Sequence, residues 1–246
     1  MVKLYFKKLF PVICLICSCI ILLHSSIIGA SALNTGFSVM DISEEEQQKI
    51  KGNLQLKLIT SEPTKYPVAC FDVREDGMLV IGSNVGIHKQ MICVYHQGEF
   101  QYGYTFTSAG AFCVEWDGDL INLCTVRSGL VISIDANGQI LQMSEIEDTY
   151  TNTLYWYDVR ANPKSAQGQT YAIQNDLGIL NLFAINYSQL TSTDENGQTT
   201  VLYDAQTIVF VQSLLVTALT LILLVAVVIF LAREFWKCRH TFEDRY

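Results

Sequence analysis

Along the middle of the chain, apolar and polar positions alternate in short runs broken by glycine. Phe71 and Val73 alternate with polar neighbours up to Asp76-Gly77, and Leu79 and Ile81 follow, a pattern that predicts a β-hairpin. Ile92 and Val94, leading through Gln97-Gly98 to Phe100, predict a second hairpin. The texture then returns, with Phe112, Val114 and Trp116-Asp117-Gly118 before Leu120 and Ile121, and Ile132, Ile134 and Asn137-Gly138 before Ile140. Residues 71–77 (FDVREDG) match residues 112–118 (FCVEWDG) at an offset of 41, and Gly98 matches Gly138 at an offset of 40. Two hairpins, or four strands, therefore form a repeating unit. A third, stretched copy is expected, with strands over residues 155–159, 171–173 and 179–187. A turn at Asp194-Glu195-Asn196-Gly197 precedes its last strand at 201–203, and an insertion falls around residues 161–169.

Two other segments break this pattern. Residues 207–231 run 25 positions without a charge, and at about 1.5 Å per residue a helix of that length covers a bilayer core of roughly 30 Å. Ser213 and Thr217 stand there at small-xxx-small spacing, a candidate helix-pairing face. At the other end, Lys3, Lys7 and Lys8 precede an apolar run over 9–23, followed by His24, Ser25 and Ser26 and the small residues Ala30-Ser31-Ala32. This order is that of a signal peptide cleaved after Ala32, and residues 9–32 are also long enough for an uncleaved anchor. A faint lipoprotein-like Ile16-Cys17-Ser18-Cys19 is overridden by the apolar run that continues past it. Basic residues before the first segment, and Arg233, Lys237 and Arg239 after the second, place both ends in the cytoplasm and export the middle.

The expected division is a signal or anchor over 1–32, a linker with a short helix over 33–66, a β-rich exported domain over 67–206, a transmembrane helix over 207–232 and a tail over 233–246 too short to fold. In the linker, Ser43 and Glu46 have capping-box spacing and Gly52 follows as a stop. Glu44, Glu45 and Glu46 there read as a solvated face, with an acidic docking motif as the alternative.

A four-stranded unit of about 40 residues with glycine turns is the signature of a propeller blade. On these repeats, over residues 68–204, the chain resembles the bacterial β-propellers of the NHL and YncE-like kind. The resemblance implies a mainly β fold of about three propeller-blade-like, four-stranded antiparallel repeats, to which the apolar segments add one or two transmembrane helices. Propellers close with four to eight blades, and this chain has material for three, or four if residues 54–59 add a strand. The alternatives are an open or sandwich-like packing, or two protomers completing one ring as a homo-oligomer.

Charge narrows the function. Residues 33–206 hold nine Lys or Arg against 21 Asp or Glu, a balance of −12. Such a field repels nucleic acid and anionic headgroups and leaves cations, basic proteins and neutral glycans as partners. Cys70, Cys93, Cys113 and Cys124 lie in the exported part, as buried thiols or as one or two disulfides. No CxxC or His/Cys cluster supports a metal, and no cofactor motif is present.

Candidates for chemistry are few. His88 and His96 lack a GxSxG partner. Glu115, Asp117 and Asp119 are the carboxylates a glycan hydrolase would use, although Asp in a hairpin turn ordinarily serves its own backbone. Asp135-Ala136-Asn137-Gly138 and residues 194–197 open like calcium loops but lack the later glutamate. Asn186-Tyr187-Ser188 is a glycosylation acceptor in a eukaryotic source.

Aromatic residues are the stronger signal. Tyr95, Phe100, Tyr102, Tyr104 and Phe106 alternate in a row, and Tyr150, Tyr155, Trp156 and Tyr157 cluster. Such a row either binds a partner or fills the space between sheets. The expectation is a non-enzymatic, membrane-tethered binding or assembly module for another exported protein or a glycan. A glycan hydrolase and an accessory subunit of a membrane complex are the alternatives.

Overall fold

The computed structural model describes residues 33–184 and 186–243. Two units separate, Met1–Asn34 and Thr35–Tyr246, and every described strand belongs to the second. The expected signal or anchor over 1–32, with Cys14, Cys17 and Cys19, lies outside the described residues.

The fold is mainly β, with three antiparallel sheets and one long apolar helix near the C-terminus. Sheet I takes four strands in chain order, β7 (Phe112–Asp117), β8 (Leu120–Thr125), β9 (Leu130–Ile134) and β10 (Ile140–Ile146). To β10 it adds β1 (Val39–Asp41) from upstream. Sheet II is built the same way from β3 (Val68–Val73), β4 (Met78–Gly86), β5 (Lys89–His96) and β6 (Glu99–Thr107), with β2 (Lys57–Ile59) against β6. Sheet III consists of β11 (Lys164–Ala166), β12 (Gln169–Gln174), β13 (Gln189–Thr193) and β14 (Thr199–Asp204). The sheets do not close into a propeller.

Sheet II packs on both sides, which is why six of the eight residues of β5 are buried. Its Phe71, Leu79, Ile81, Met91, Cys93 and Tyr95 form one core with Tyr171, Ile173, Leu190 and Tyr203 of sheet III. Toward sheet I, Phe106 meets Phe112 edge to face with centroids 5.1 Å apart. Gly82 lets Phe112 come close, and Gly103 leaves β6 room against β5. A Cβ on Gly103 would lie 2.5 Å from the Ile92 carbonyl oxygen, and one on Gly82 would lie 2.6 Å from the Phe112 ring.

The residues upstream of β3 are stitched into the sheets as β1 and β2. Between them α1 (Glu44–Leu54) starts at Ser43, whose hydroxyl accepts from Glu46 N at 3.3 Å. It runs past Gly52 to a left-handed Gln55, φ 49°.

The third expected unit is corrected in three places. Residues 155–159 are helical, within α2 (Tyr150–Val159), because the Thr149 hydroxyl caps Asn152 N at 3.2 Å and starts a helix that aromatic β-propensity alone does not reveal. The first strand is instead β11, inside the expected insertion. The described residues of the expected strand over 179–187 do not form one, since Gly178–Phe183 is a 3-10 turn, and the third strand is the polar β13. β13 is buried because its neighbours satisfy it, with the Thr191 hydroxyl donating to Ala172 O at 3.2 Å.

The long helix α3 (Gln206–Glu243) follows β14 after the single buried residue Ala205. Its segment Gln206–Arg233, mean hydropathy 3.2, is long and apolar enough to cross a membrane. The expected unfolded tail is helical as far as Glu243, since extending an existing helix requires no new nucleation.

Candidate functional site

The first strands of the three sheets are edge strands, and an edge leaves backbone donors to be satisfied from elsewhere. Asp72 on β3 does this for its neighbours. One carboxylate oxygen accepts from Trp116 N of β7 at 2.8 Å, and the other accepts from Lys164 Nζ of β11 at 2.9 Å. The side chains of Asp72 and Lys164 are only 17 and 13 % exposed. Around the same turns, Arg74 donates to Gly118 O at 2.9 Å and pairs with Asp76 and Asp119, its guanidinium stacked 4.9 Å from the Trp116 ring. The Arg74 hydrogen bonds hold the Asp76 carboxyl down to about 2.

Beside this junction lies a pocket of about 370 Å³ lined by Asp72, Glu115, Trp116, Tyr155, Asp158 and Lys164, among others. Glu115 is buried and fully used, accepting from Thr35 Oγ1 at 2.6 Å, Tyr155 OH at 2.8 Å and Asn122 Nδ2 at 3.3 Å. Burial, reinforced by the Glu115 charge, raises the Tyr155 phenol above its usual range. Trp116 Nε1 is buried without a partner, an orphan donor in the pocket's lining.

The three carboxylates weighed for hydrolysis go separate ways. Glu115 lines the pocket, whereas Asp119 is almost fully exposed and bound to Arg74, and Asp117 is not among the pocket residues. His96 ends β5, and His88 sits in the β4–β5 turn with φ 58°. The Asp135 and Asp194 carboxylates are used by their own turns. Asp135 accepts from Asn137 N and Gln139 N at 3.0 and 2.7 Å, and Asp194 accepts from Asn196 N and Gln198 N at 2.9 and 2.8 Å. Ser188 of the candidate glycosylation triplet is buried, its hydroxyl donating to Gln174 O at 3.4 Å.

The aromatic row divides. A β-bulge at Val94/Tyr95 shifts the register, so that Tyr95 opposes Phe100 and both join the core shared with sheet III, Tyr95 packing 5.7 Å from Tyr203. Tyr104 donates to Asp135 O, in the turn that follows β9, at 2.5 Å, and half-buried Tyr102 packs 5.7 Å from it. Trp156 lies against Phe37 at 4.7 Å under the Arg160 guanidinium.

A surface that the sequence reading did not isolate lies on the outer side of α2. Asn152 locks the helix down, exchanging 2.8 Å hydrogen bonds with the backbone of Ser38, and Tyr155 and Trp156 pack against Phe37. Tyr150, Leu154 and Tyr157, spaced four and three apart, fall on one helical face and are 77, 47 and 72 % exposed. Read at 3.6 rather than two residues per period, that spacing was visible in the sequence.

Cys70, Cys93, Cys113 and Cys124 are buried free thiols in the structure. Burial pushes Cys93 up to about 12 and raises Cys70 and Cys124 well above the usual thiol value, with Cys113 also raised. Iodoacetamide at pH 8 is therefore expected to leave all four unmodified in the native chain and to modify all four in denaturant without reductant. Failure of that second labelling would mean that disulfides form.

No protein-family model matches this chain, and no curated protein does either.

Proposed function

We propose that the chain is a membrane-tethered binding module whose β-domain, on the exported side, holds α2 as a docking ridge for a second exported protein. The observation that carries this reading is the exposed Tyr150, Leu154 and Tyr157 stripe on a helix whose opposite face is pinned to the domain. Exposed aromatic residues on a rigid support lose little entropy on binding and are over-represented among binding hot spots. The acidic balance of the domain favours a partner with a basic surface. The three four-strand meanders are read as blade-like units of an open arc, β3 and β7 carrying the matching segments 71–77 and 112–118. The separation of Glu115 from Asp119, and the three hydrogen bonds that occupy Glu115, weigh against hydrolysis.

The test places benzoylphenylalanine at Tyr157 in living cells and irradiates them. A discrete heavier adduct that disappears with Tyr150→Asp is expected. An unchanged band after irradiation would remove the docking ridge, and an adduct only with a second copy of the chain would replace the second protein by self-association.

A further inference from the structure

We infer that the 3-10 turn Gly178–Phe183 is a lipid-embedded wedge lying beside the membrane helix in the exported half of the bilayer. This rests on the membrane-tethered reading of α3.

The turn leaves the domain at the root of that helix. Gln206, the first residue of α3, donates through Nε2 to Asp176 O at 2.7 Å. Beyond Asp176 no charged residue occurs until Asp194, and along the helix none occurs between Asp204 and Arg233. Both segments lose their charges at one level. The turn packs against α3, and the helix carries the imprint of a cover. Val209 and Ser213 are buried and Val216 and Thr217 half-buried, while the other residues from Phe210 to Ala218 are exposed. Ser213 is 2 % exposed, about 10 Å along the helix from Gln206. Covered residues at that distance lie well inside an apolar span that starts at Thr207.

The turn itself has two apolar sides. A 3-10 helix repeats every three residues, and Leu177, Leu180 and Phe183 are half-buried on one side. Ile179 and Leu182 on the other side are both 80 % exposed. Two large aliphatic side chains standing free beside an apolar helix match hydrocarbon and not water.

Polar groups inside a bilayer must be satisfied internally, and those identified around the turn are. The Asn181 amide accepts from Leu177 N at 2.9 Å and donates to Asn175 O at 3.3 Å. Leu180 N donates to Leu177 O at 3.2 Å, Ala184 N to Asn181 O at 3.3 Å, and Thr217 Oγ1 to Ser213 O at 2.7 Å. Ser213, weighed from sequence as a helix-pairing residue, lies under this cover.

The experiment uses the full chain carrying Trp236→Phe, reconstituted into phosphatidylcholine vesicles with doxyl labels placed either near the headgroup or near the acyl-chain end. Leu182→Trp adds a reporter to the wedge, and Leu219→Trp adds one to the middle of the helix. Relative to the parent chain, the Leu182→Trp emission is expected to be quenched more by the shallow label than by the deep one, and the Leu219→Trp emission the reverse. Quenching at Leu219→Trp with none at Leu182→Trp would overturn the wedge and leave the span standing. Quenching at neither would overturn the span and the wedge with it.

Discussion

Asp72→Ala is expected to destabilise the domain by about 3 kcal/mol, the range for removing one partner of a mostly buried ion pair. For a domain of this size that lowers Tm by about 6–12 °C, read by thermal melting of the detergent-solubilised chain. The loss has two parts. The Lys164 ammonium keeps its burial without its carboxylate, and Trp116 N on the edge of sheet I is left without an acceptor. Lys164→Met in the same background removes the stranded charge while keeping most of the aliphatic volume, so the double variant is expected to melt above Asp72→Ala alone. Equal melting of the single and double variants would mean that the pair does not hold β3 to β11. Asp72→Asn separates the two roles, because its amide oxygen still accepts from Trp116 N.

The second large effect is a pair of identical substitutions with opposite signs. Gly103→Ala places a methyl group 2.5 Å from the Ile92 carbonyl oxygen of the adjacent strand. That oxygen belongs to the β5–β6 ladder and cannot retreat as a side chain would, so a loss of about 3 kcal/mol or more is expected. Gly52→Ala, in α1, meets nothing within 4 Å. It is expected to stabilise by about 0.5–1 kcal/mol through helix propensity and a restricted unfolded chain. Denaturant midpoints of the two variants against the parent test both. A loss at Gly52→Ala, or no loss at Gly103→Ala, would contradict the packing described.

Much of the β architecture was legible because hairpins advertise themselves. Asp76-Gly77, Gln97-Gly98 and Asn137-Gly138 sit in the turns where they were expected, with glycine φ of 85, 82 and 81°. Alternation between those turns placed β3 through β10. It failed where the period carried no contrast. β13 is Gln-Leu-Thr-Ser-Thr and is buried by hydrogen bonding, which hydropathy does not register. In α2 the residues Tyr155, Trp156 and Tyr157 favour strands, and one capping hydroxyl on Thr149 opposes them. The aromatic row of β6 was visible, but its division between two cores depends on the bulge at Val94/Tyr95, a register event with no residue signature of its own. Asp72 could not have been singled out either, because its partners lie 44 and 92 residues away.

Between the last strand and the long helix there is one residue, Ala205, and it is buried, its N–H donating to Ser188 O at 2.8 Å. Nothing there can act as a swivel. In the tethered reading, axial rotation of the lipid-facing rod turns the whole β-domain with it, so α2 sweeps a fixed height above the bilayer. A companion would then be met by lateral diffusion in one plane, and a few inserted glycines after Ala205 would release that constraint without altering a contact on α2.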